Sequence, residues 1–170
     1  DLYLFNEGNH FHLYEKLGAH VVSRGGTRGT YFAVWAPDAE IVYVMGDFNG
    51  WNKTSHALRS RAVSGIWEGF IPGVEKGAKY KFRVCSRYHG YRADKGDPFA
   101  FHGETPPFTA SIVWDLDYRW GDGAWMKDRG RRNHAQSAMA IYEVHIGSWM
   151  RAPGEENRFL SYREMAPRLA

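Results

Sequence analysis

The sequence predicts a mainly β protein, in which a β-sandwich precedes a single strand and helix that begin a second, α/β unit. Short runs of β-branched and aromatic residues recur between turn residues over 18–115, a spacing typical of a β-sandwich. Further on, the near-continuous apolar run at 138–144 is typical of a buried parallel strand, and a helix-capping pattern follows it. An open barrel is the alternative architecture for the first part.

The strands of the first part are predicted from alternation and from the turn residues around them. The alternation is clearest at 79–84, where Tyr80 and Phe82 point to one face and Lys81 points to the other. The remaining strands are expected at 20–22, 31–35, 41–45, 66–71 and 109–114. A loop is predicted between the first two, at Gly25, Gly26 and Gly29.

The flanking segments are predicted to have different structures. Residues 1–17 form a lead-in segment, in which helical spacing of apolar residues over 10–17 predicts a short helix. Residues 116–137 are polar and glycine-containing, as in a linker. The pattern Ser-Tyr-Arg-Glu at 161–164 is a capping box that opens a helix. Because the sequence does not begin with methionine, we expect residues to precede it in the native protein.

Composition excludes several classes of protein. No apolar run approaches the ~18 residues of a transmembrane helix, so no membrane partner is predicted. The lone cysteine, Cys85, excludes an internal disulfide and fits a reducing, cytoplasmic setting. The net charge is +3, and the basic cluster at 129–132 lacks interleaved aromatic residues, so no nucleic acid is predicted as a partner. Aromatic residues make up 16% of the chain, which indicates a filled core, a stacking surface or both.

Four motifs in the first part resemble those of one family. The segment 46–51 reads GDFNGW and resembles the G-x-F-N-x-W signature of family 48 carbohydrate-binding modules. Those modules are β-sandwiches in glycogen- and starch-active proteins. Residues 31–37 resemble the F-x-V-W-A-P strand before that signature, while 80–82 and 97–100 resemble the Y-K-F strand and the D-P-Y/F-A turn after it.

The flanks resemble bacterial 1,4-α-glucan (glycogen) branching enzymes. Residues 1–8 and 13–20 are similar to the region before the module in those enzymes, and 141–149 and 160–164 are similar to the first strand and helix of their barrel. The resemblance therefore implies an immunoglobulin-like β-sandwich at 18–115, followed by the first strand-helix unit of a truncated (β/α)8 barrel. Residues 138–170 would be the incomplete start of an amylase-type catalytic barrel, since a complete barrel needs roughly 250 residues.

The resemblance implies a glycosyltransferase of glycogen biosynthesis that moves α-1,4 glucan chains to form α-1,6 branches. Its retaining, amylase-type mechanism needs two carboxylates about 5 Å apart. In the family these carboxylates lie on later barrel strands, whose motifs are absent from this sequence. We therefore assign no catalytic residue and no cofactor, and we predict that this chain alone is inactive. Asp115 and Asp117 are interpreted as acidic residues that end a strand, and His145 as a structural histidine.

A metal site is not predicted. His10 and His12 are spaced to share one face of a strand, but no cysteine partner or acidic triad nearby completes a ligand set.

The predicted carbohydrate-binding residues are Trp51, Lys81, Asn49 and either Tyr88 or Tyr91. A tryptophan ring can cover the apolar face of a glucose ring, while lysine and asparagine can bind its hydroxyls. In the glycogen-targeting modules the residues that match Trp51 and Lys81 contact glucan, and a second aromatic follows the Y-K-F strand. The alternative role for Trp51 is packing of the module against the barrel, and for Lys81 it is a solvated strand position. The alternative for Asn49 is a turn residue that tolerates positive φ. A further asparagine of those modules is matched by Ser111, which weakens the expectation of tight binding.

Two other functions remain open at this point. A non-catalytic glycogen-binding module would explain the middle of the chain but not the strand and helix after residue 137. A related debranching or trehalose-releasing hydrolase would share the GDFNGW-type signature but would lack the lead-in at 13–18. The predicted partners are α-glucan, as glycogen, amylose or maltooligosaccharides, and the remainder of the catalytic barrel.

Overall fold

The computed structural model describes residues 1–132 and 136–169. These residues separate into two compact units, Asp1–Tyr118 and Arg119–Ala170, of which Ala170 lies outside the described part. The strands of the first unit, in chain order, are β1 (Gly18–Arg24), β2 (Thr27–Trp35), β3 (Ala39–Gly46), β4 (Arg59–Ser60), β5 (Ile66–Pro72), β6 (Lys79–Ser86), β7 (Arg92–Lys95), β8 (His102–Gly103) and β9 (Ser111–Ile112).

These strands form two antiparallel sheets. The first sheet has the order β1-β2-β5-β4, and the second has the order β3-β6-β9-β8 with β7 paired to β6. In the second sheet Met45 lies opposite Lys81, while Arg83 lies between Tyr43 on one side and Asp94 on the other. Since residues opposite each other in a ladder share a face, these side chains form one outer surface. The mainly β architecture is confirmed, and the two sheets form the predicted sandwich.

The core lies between the sheets. Phe32 from β2 meets Tyr80 and Phe82 from β6 edge to face, with ring centroids 5.0 Å and 6.5 Å away. All three side chains are fully buried, as are Val42 and Val44 from β3. Burial of each such apolar side chain stabilises the fold by about 1.5–3 kcal/mol. The alternation predicted for β6 is therefore confirmed by the side chains that it sends inward.

All six predicted strands form, with differences at their edges. The predicted glycine loop is confined to the hairpin turn at Gly25 and Gly26, both with positive φ, whereas Gly29 lies inside β2. A side chain at position 29 would clash with the backbone of Ile71, so glycine allows the two strands to approach. The short strands β4, β7 and β8 were not predicted, because polar residues dominate them and pairing alone defines them.

The lead-in segment covers part of the outer face of the first sheet. It contains helix α1 (Leu2–Asn6) and a 3-10 turn at Leu13–Glu15. The helix predicted over 10–17 is thus reduced to that single turn, because Leu13 and Leu17 are drawn onto the sheet, where they pack near Ala33 and Ile66. Tertiary packing overrides the weak helical pattern of this short stretch.

The second unit contains three helices among its described residues, namely α2 (Gly123–Arg132), α3 (Ile146–Trp149) and α4 (Tyr162–Leu169). Helix α4 confirms the predicted capping box. The Ser161 backbone N–H donates to the Glu164 carboxylate at 2.8 Å, and the Glu164 N–H donates to Ser161 Oγ at 3.4 Å. Hydrogen bonds from Arg158 and Ser161 lower the pKa of Glu164 to about 2.

Two expectations differ in the second unit. Part of the stretch interpreted as linker forms α2, while residues 133–135 of that stretch lie outside the described residues. No strand forms at 138–144, which the structure describes throughout, so the strand predicted there is wrong for this chain. A parallel strand exists only as part of a ladder, and no neighbouring strand is present among the described residues to pair with it. Its apolar side chains therefore stay largely exposed.

Within the described part of the chain, no helix has the length and apolarity needed to cross a membrane.

Candidate functional site

Trp51 lies in the loop that follows β3. A 3-10 turn at Asp47–Asn49 reverses the chain, and Gly50 and Trp51 then both adopt positive φ of 59°. A bulky residue rarely adopts this conformation, so the surroundings must hold it there. The Trp51 backbone N–H donates to the Gly46 carbonyl at 2.7 Å, which closes the loop. The Trp51 side chain is left at the surface, 36% exposed.

The Asn49 side chain makes its hydrogen bonds within the loop. Its Oδ1 accepts from the Gly46 N–H at 3.0 Å, and its Nδ2 donates to the Val44 carbonyl at 3.1 Å. The same amide nitrogen lies 3.1 Å from Ser55 Oγ and 3.0 Å from His56 Nδ1. Because both amide atoms are engaged, Asn49 orients the segment that carries Trp51. The alternative of a turn residue with positive φ is not what the structure shows for Asn49, because the positive φ angles fall on Gly50 and Trp51.

Lys81 lies close to Trp51, on the outer face of the second sheet. Its Nζ donates to Thr109 Oγ1 at 2.7 Å, so the chain before β9 is tied to β6. Trp51, Lys81 and Thr109 line one open concavity of about 560 Å³. The other lining residues are Met45, Asp47, Lys79, Asp94, Glu104, Pro107, Phe108 and Ala110. We call this surface the charged concavity.

Asp94 is a member of the charged concavity that the sequence analysis missed. Its two carboxylate oxygens accept from Lys53 Nζ at 2.9 Å and from Arg83 Nη1 at 2.8 Å. Burial raises the pKa of Asp94, but the hydrogen bonds from Lys53 and Arg83 outweigh it, so the net pKa lies below the usual value. Asp94 thereby ties the loop after Trp51 to β6. Only the β6–β7 register, which places Asp94 opposite Arg83, could have indicated this role.

A second ion pair lies at the other side of the charged concavity. Lys79 Nζ is 2.9 Å from the Glu104 carboxylate, which also accepts from the Ala110 N–H at 3.0 Å. The hydrogen bond from Lys79, aided by that of Ala110, lowers the pKa of Glu104, and the same bond raises the pKa of Lys79. The concavity therefore presents fixed carboxylates and ammonium groups around an exposed indole.

Tyr88 and Tyr91 are not brought to the charged concavity. Both lie in the hairpin turn between β6 and β7, where the Ser86 N–H donates to the Tyr91 carbonyl at 2.8 Å. Ser86 is five residues beyond Lys81 on an extended strand, a separation of roughly 17 Å. Both rings are exposed, so they remain free to contact a ligand at that end of the sheet. Their proposed part in glucan binding stays a prediction.

Ser111 occupies an interior position. It is buried, and its Oγ accepts from the Asp97 N–H at 2.8 Å. The Asp97 carboxylate in turn accepts from the buried Tyr80 hydroxyl at 2.6 Å and from the Phe99 N–H at 2.8 Å. Burial raises the pKa of Asp97 despite these hydrogen bonds. These contacts hold the turn after β7 against the core.

The remaining polar candidates have local partners. Asp115 pairs with Lys76 at 2.8 Å, and the Asp117 N–H donates to the Asp115 carboxylate at 3.3 Å. His145 precedes α3, and its Nδ1 lies 2.8 Å from Ser148 Oγ. Among residues 1–132 and 136–169, no group of three or more His, Cys, Asp or Glu side chains is arranged to hold a metal ion.

Comparison with known families identifies the first unit. The family model described as carbohydrate-binding module 48 (isoamylase N-terminal domain) matches residues 16–100. The chain belongs to this family. The matched residues include strands β1 to β7, and with them Trp51 in the loop after β3, Lys81 in β6 and Asp94 in β7.

Curated relatives match over the whole chain, including the second unit. The 1,4-α-glucan branching enzyme of Aquifex aeolicus is 53% identical over 98% of this chain, which covers 26% of that enzyme. The branching enzyme of Myxococcus xanthus is 49% identical over 100% of the chain and 23% of its own length. This chain thus spans about a quarter of these relatives. A pullulanase of Klebsiella pneumoniae superposes on 61% of this chain and 11% of the pullulanase chain, with 25% identity and a TM-score of 0.48.

Proposed function

We propose that this chain is the N-terminal part of a 1,4-α-glucan branching enzyme, in which the module binds α-glucan at the charged concavity. The observation that carries the assignment is the identity of about half to branching enzymes, which extends beyond the module to the end of the second unit. The parent would transfer α-1,4 glucan chains to 6-hydroxyl groups in glycogen biosynthesis. The reaction needs no cofactor, and a cytoplasmic location follows from the site of that pathway.

The proposal also assigns a role to each segment of the chain. Residues 1–17 form the lead-in, 18–115 the module, 116–137 a connecting segment that contains α2, and 138–170 the start of the amylase-type catalytic barrel. The exposed apolar side chains at 139–142 support the last assignment, because they would be covered once neighbouring barrel strands paired with this segment. The remainder of the barrel is thus one partner, and α-glucan is the other.

Glucan binding at the charged concavity follows from the chemistry of the two partners. The half-exposed indole of Trp51 offers an apolar face to the C–H side of a glucose ring. Lys81 and Thr109 form the adjoining wall, and Asp94 and Glu104 supply carboxylate oxygens that accept hydrogen bonds from sugar hydroxyls. The ion pairs of both carboxylates keep these oxygens in place before the ligand arrives.

The binding site is tested by titrating maltoheptaose into the 170-residue chain and following the Trp51 indole N–H by NMR. We expect this signal to move, and we expect Trp51→Ala to lower affinity by about tenfold or more, since the stacking face is removed. The Trp51→Gly variant is the matched control for folding, because glycine tolerates the positive φ that tryptophan adopts here. A Trp51 signal that stays fixed at saturating maltoheptaose would contradict the site.

The second test concerns activity. Incubation of the purified chain with amylose should leave the iodine absorption spectrum unchanged, because the carboxylates that the reaction needs lie on later barrel strands in this family. The chain extended by a complete barrel should shift that spectrum as branches form. Branching by the 170-residue chain alone would overturn the proposed division of labour.

A further inference from the structure

A second concave surface lies on the opposite sheet of the module. It is an open groove of about 510 Å³ between the lead-in segment and the outer face of the first sheet. Its lining includes Trp35, Ser64, Phe5, Asn6 and His10. None of these residues lines the charged concavity. Trp35 is the last residue of β2, whereas Trp51 lies in the loop that contains the GDFNGW signature. We call this surface the neutral groove.

Trp35 is the aromatic platform of the neutral groove. It is 55% exposed, more than Trp51, although it sits at the end of a regular strand. Its Nε1–H donates to the Ser64 carbonyl at 3.2 Å, and the Phe5 ring meets it edge-on with centroids 6.3 Å apart. Gly65 leaves room for this arrangement, because a Cβ there would come within 3.1 Å of the Trp35 indole nitrogen. The ring is therefore fixed in place while its surface stays accessible.

The polar groups of the neutral groove fit an uncharged ligand. Its lining contains no lysine, arginine, aspartate or glutamate. His10 is already engaged, with Nδ1 accepting from the His12 N–H at 3.3 Å and Nε2 at 3.3 Å from the Asp1 carboxylate. Asn6, at the end of α1, has no hydrogen-bond partner for its amide among the described residues, so it can both donate to and accept from a hydroxyl.

We propose that the neutral groove is a second binding platform for α-glucan, with a glucose ring on Trp35 and Asn6 bound to its hydroxyls. An exposed, fixed aromatic ring beside an uncommitted amide matches an amphipathic and uncharged ligand, and the absence of lysine and arginine from the lining disfavours phosphate groups or acidic peptides. The volume is in the range of small-ligand sites and accommodates a few glucose units. The ligand class is shared with the proposed function, but the residues are separate.

This proposal is tested with maltoheptaose and the 170-residue chain carrying Trp51→Ala, so that the charged concavity is disabled. We expect the Trp35 indole N–H and the Asn6 amide signals to move in concert during the NMR titration. Trp35→Ala should lower affinity at this groove by about tenfold or more, and Trp35→Tyr should retain most of it. Because Trp35→Ala also removes the bond to Ser64, Asn6→Ala provides a second variant at an exposed position, with an expected loss of about threefold.

The outcomes separate the two sites. If Trp35 signals move while Trp51 signals stay fixed in the unsubstituted chain, the groove stands and the proposed site at Trp51 fails. If Trp51 signals move and Trp35 signals stay fixed at saturation, the second platform is overturned. Loss of the Trp35 response in the Trp51→Ala variant would also overturn it, because the response would then arise from one shared site.

Discussion

The charged concavity and the neutral groove lie on opposite sheets of one sandwich, and they are held in different ways. In the concavity, Asp94 and Glu104 link loops to strands through ion pairs with lysine and arginine. In the groove, the lead-in segment packs apolar side chains such as Phe5 and Leu13 onto the outer face of the first sheet. Each surface exposes one indole, but only the concavity surrounds it with charge.

This difference teaches what each surface can tolerate. Exposed ion pairs contribute little stability and weaken with salt, so the shape of the concavity depends on pH and ionic strength. Apolar packing responds less to both, and the groove adds to it the contact between His10 and the Asp1 carboxylate. A binding site held by apolar contacts should therefore keep its geometry under conditions that loosen the other one. Both surfaces rest on the same core, so a substitution in that core should affect both of them.

The largest expected effect comes from that shared core. Phe32 is fully buried and joins the two sheets through its contacts with Tyr80 and Phe82. Phe32→Ala should lower the free energy of unfolding by about 3–5 kcal/mol, because it removes a large side chain and leaves a cavity. Urea unfolding followed by circular dichroism measures this, and glucan binding at both surfaces should be lost together.

The control for the core variant is Val63→Ala. Val63 is completely exposed, so its truncation should change stability by less than about 0.5 kcal/mol. A Phe32→Ala protein that loses under about 1 kcal/mol, or that keeps one surface intact after losing the other, would contradict the view that one core supports both.

A smaller effect is expected from the buried pair Tyr80 and Asp97. Tyr80→Phe leaves the Asp97 carboxylate without its hydroxyl donor, at a cost of about 1–3 kcal/mol at neutral pH. The loss raises the pKa of Asp97 in the folded state further above its unfolded value. The folded variant then binds a proton more readily than the unfolded chain, so the stability of the variant falls as pH rises through that folded pKa.

Urea unfolding of the two proteins at several pH values between about 3 and 7 tests this sign. The difference between wild type and Tyr80→Phe should widen as pH rises. Tyr88→Phe provides the matched control, because that tyrosine is exposed in the β6–β7 turn and its hydroxyl makes no hydrogen bond within the described part of the chain. A difference that narrows toward neutral pH would show that Asp97 does not carry the effect.

The sequence predicted the sandwich because its signals are local. Alternation in β6 and the turn residues around each long strand depend on neighbours in the chain, and these strands formed as expected. The strand at 138–144 failed for the opposite reason. Its apolar run matches a buried parallel strand, but pairing requires neighbours that do not occur among the described residues. The sequence pattern predicts which face of a strand is apolar, whereas a β-ladder forms only where a neighbouring strand is present to pair with it.

The residues of the candidate site could likewise be predicted only in part from the sequence. Trp51 and Lys81 were found through motifs, and the structure brings them to one concavity. Asp94 was missed because its role depends on the register that sets it opposite Arg83 and on a loop that delivers Lys53. Trp35 was not among the predicted binding residues, because no sequence signal distinguishes an outward tryptophan at a strand end from a core one. The roles of Asp94 and Trp35 both depend on contacts between residues that are far apart in the sequence.

The smallest expected effect separates the two surfaces. Asp94→Asn removes the shared carboxylate of Lys53 and Arg83, which is 24% exposed, so the loss of stability should be about 1 kcal/mol. Because the folded pKa of Asp94 is below its unfolded value, this contribution is present at neutral pH and is lost as pH falls through the folded pKa. Urea unfolding at neutral and acidic pH measures it.

Binding data then complete the comparison. Asp94→Asn should lower maltoheptaose affinity at the Trp51 signal by about threefold, because the freed Lys53 loosens the loop beside the ring. The Trp35 signal should respond to maltoheptaose as in wild type, because neither Asp94 nor its partners Lys53 and Arg83 line the neutral groove. Glu40→Gln is the matched control, since Glu40 is exposed and takes no part in the ion pairs of the concavity. Equal changes at both indoles would mean that the surfaces are coupled through the core rather than held separately.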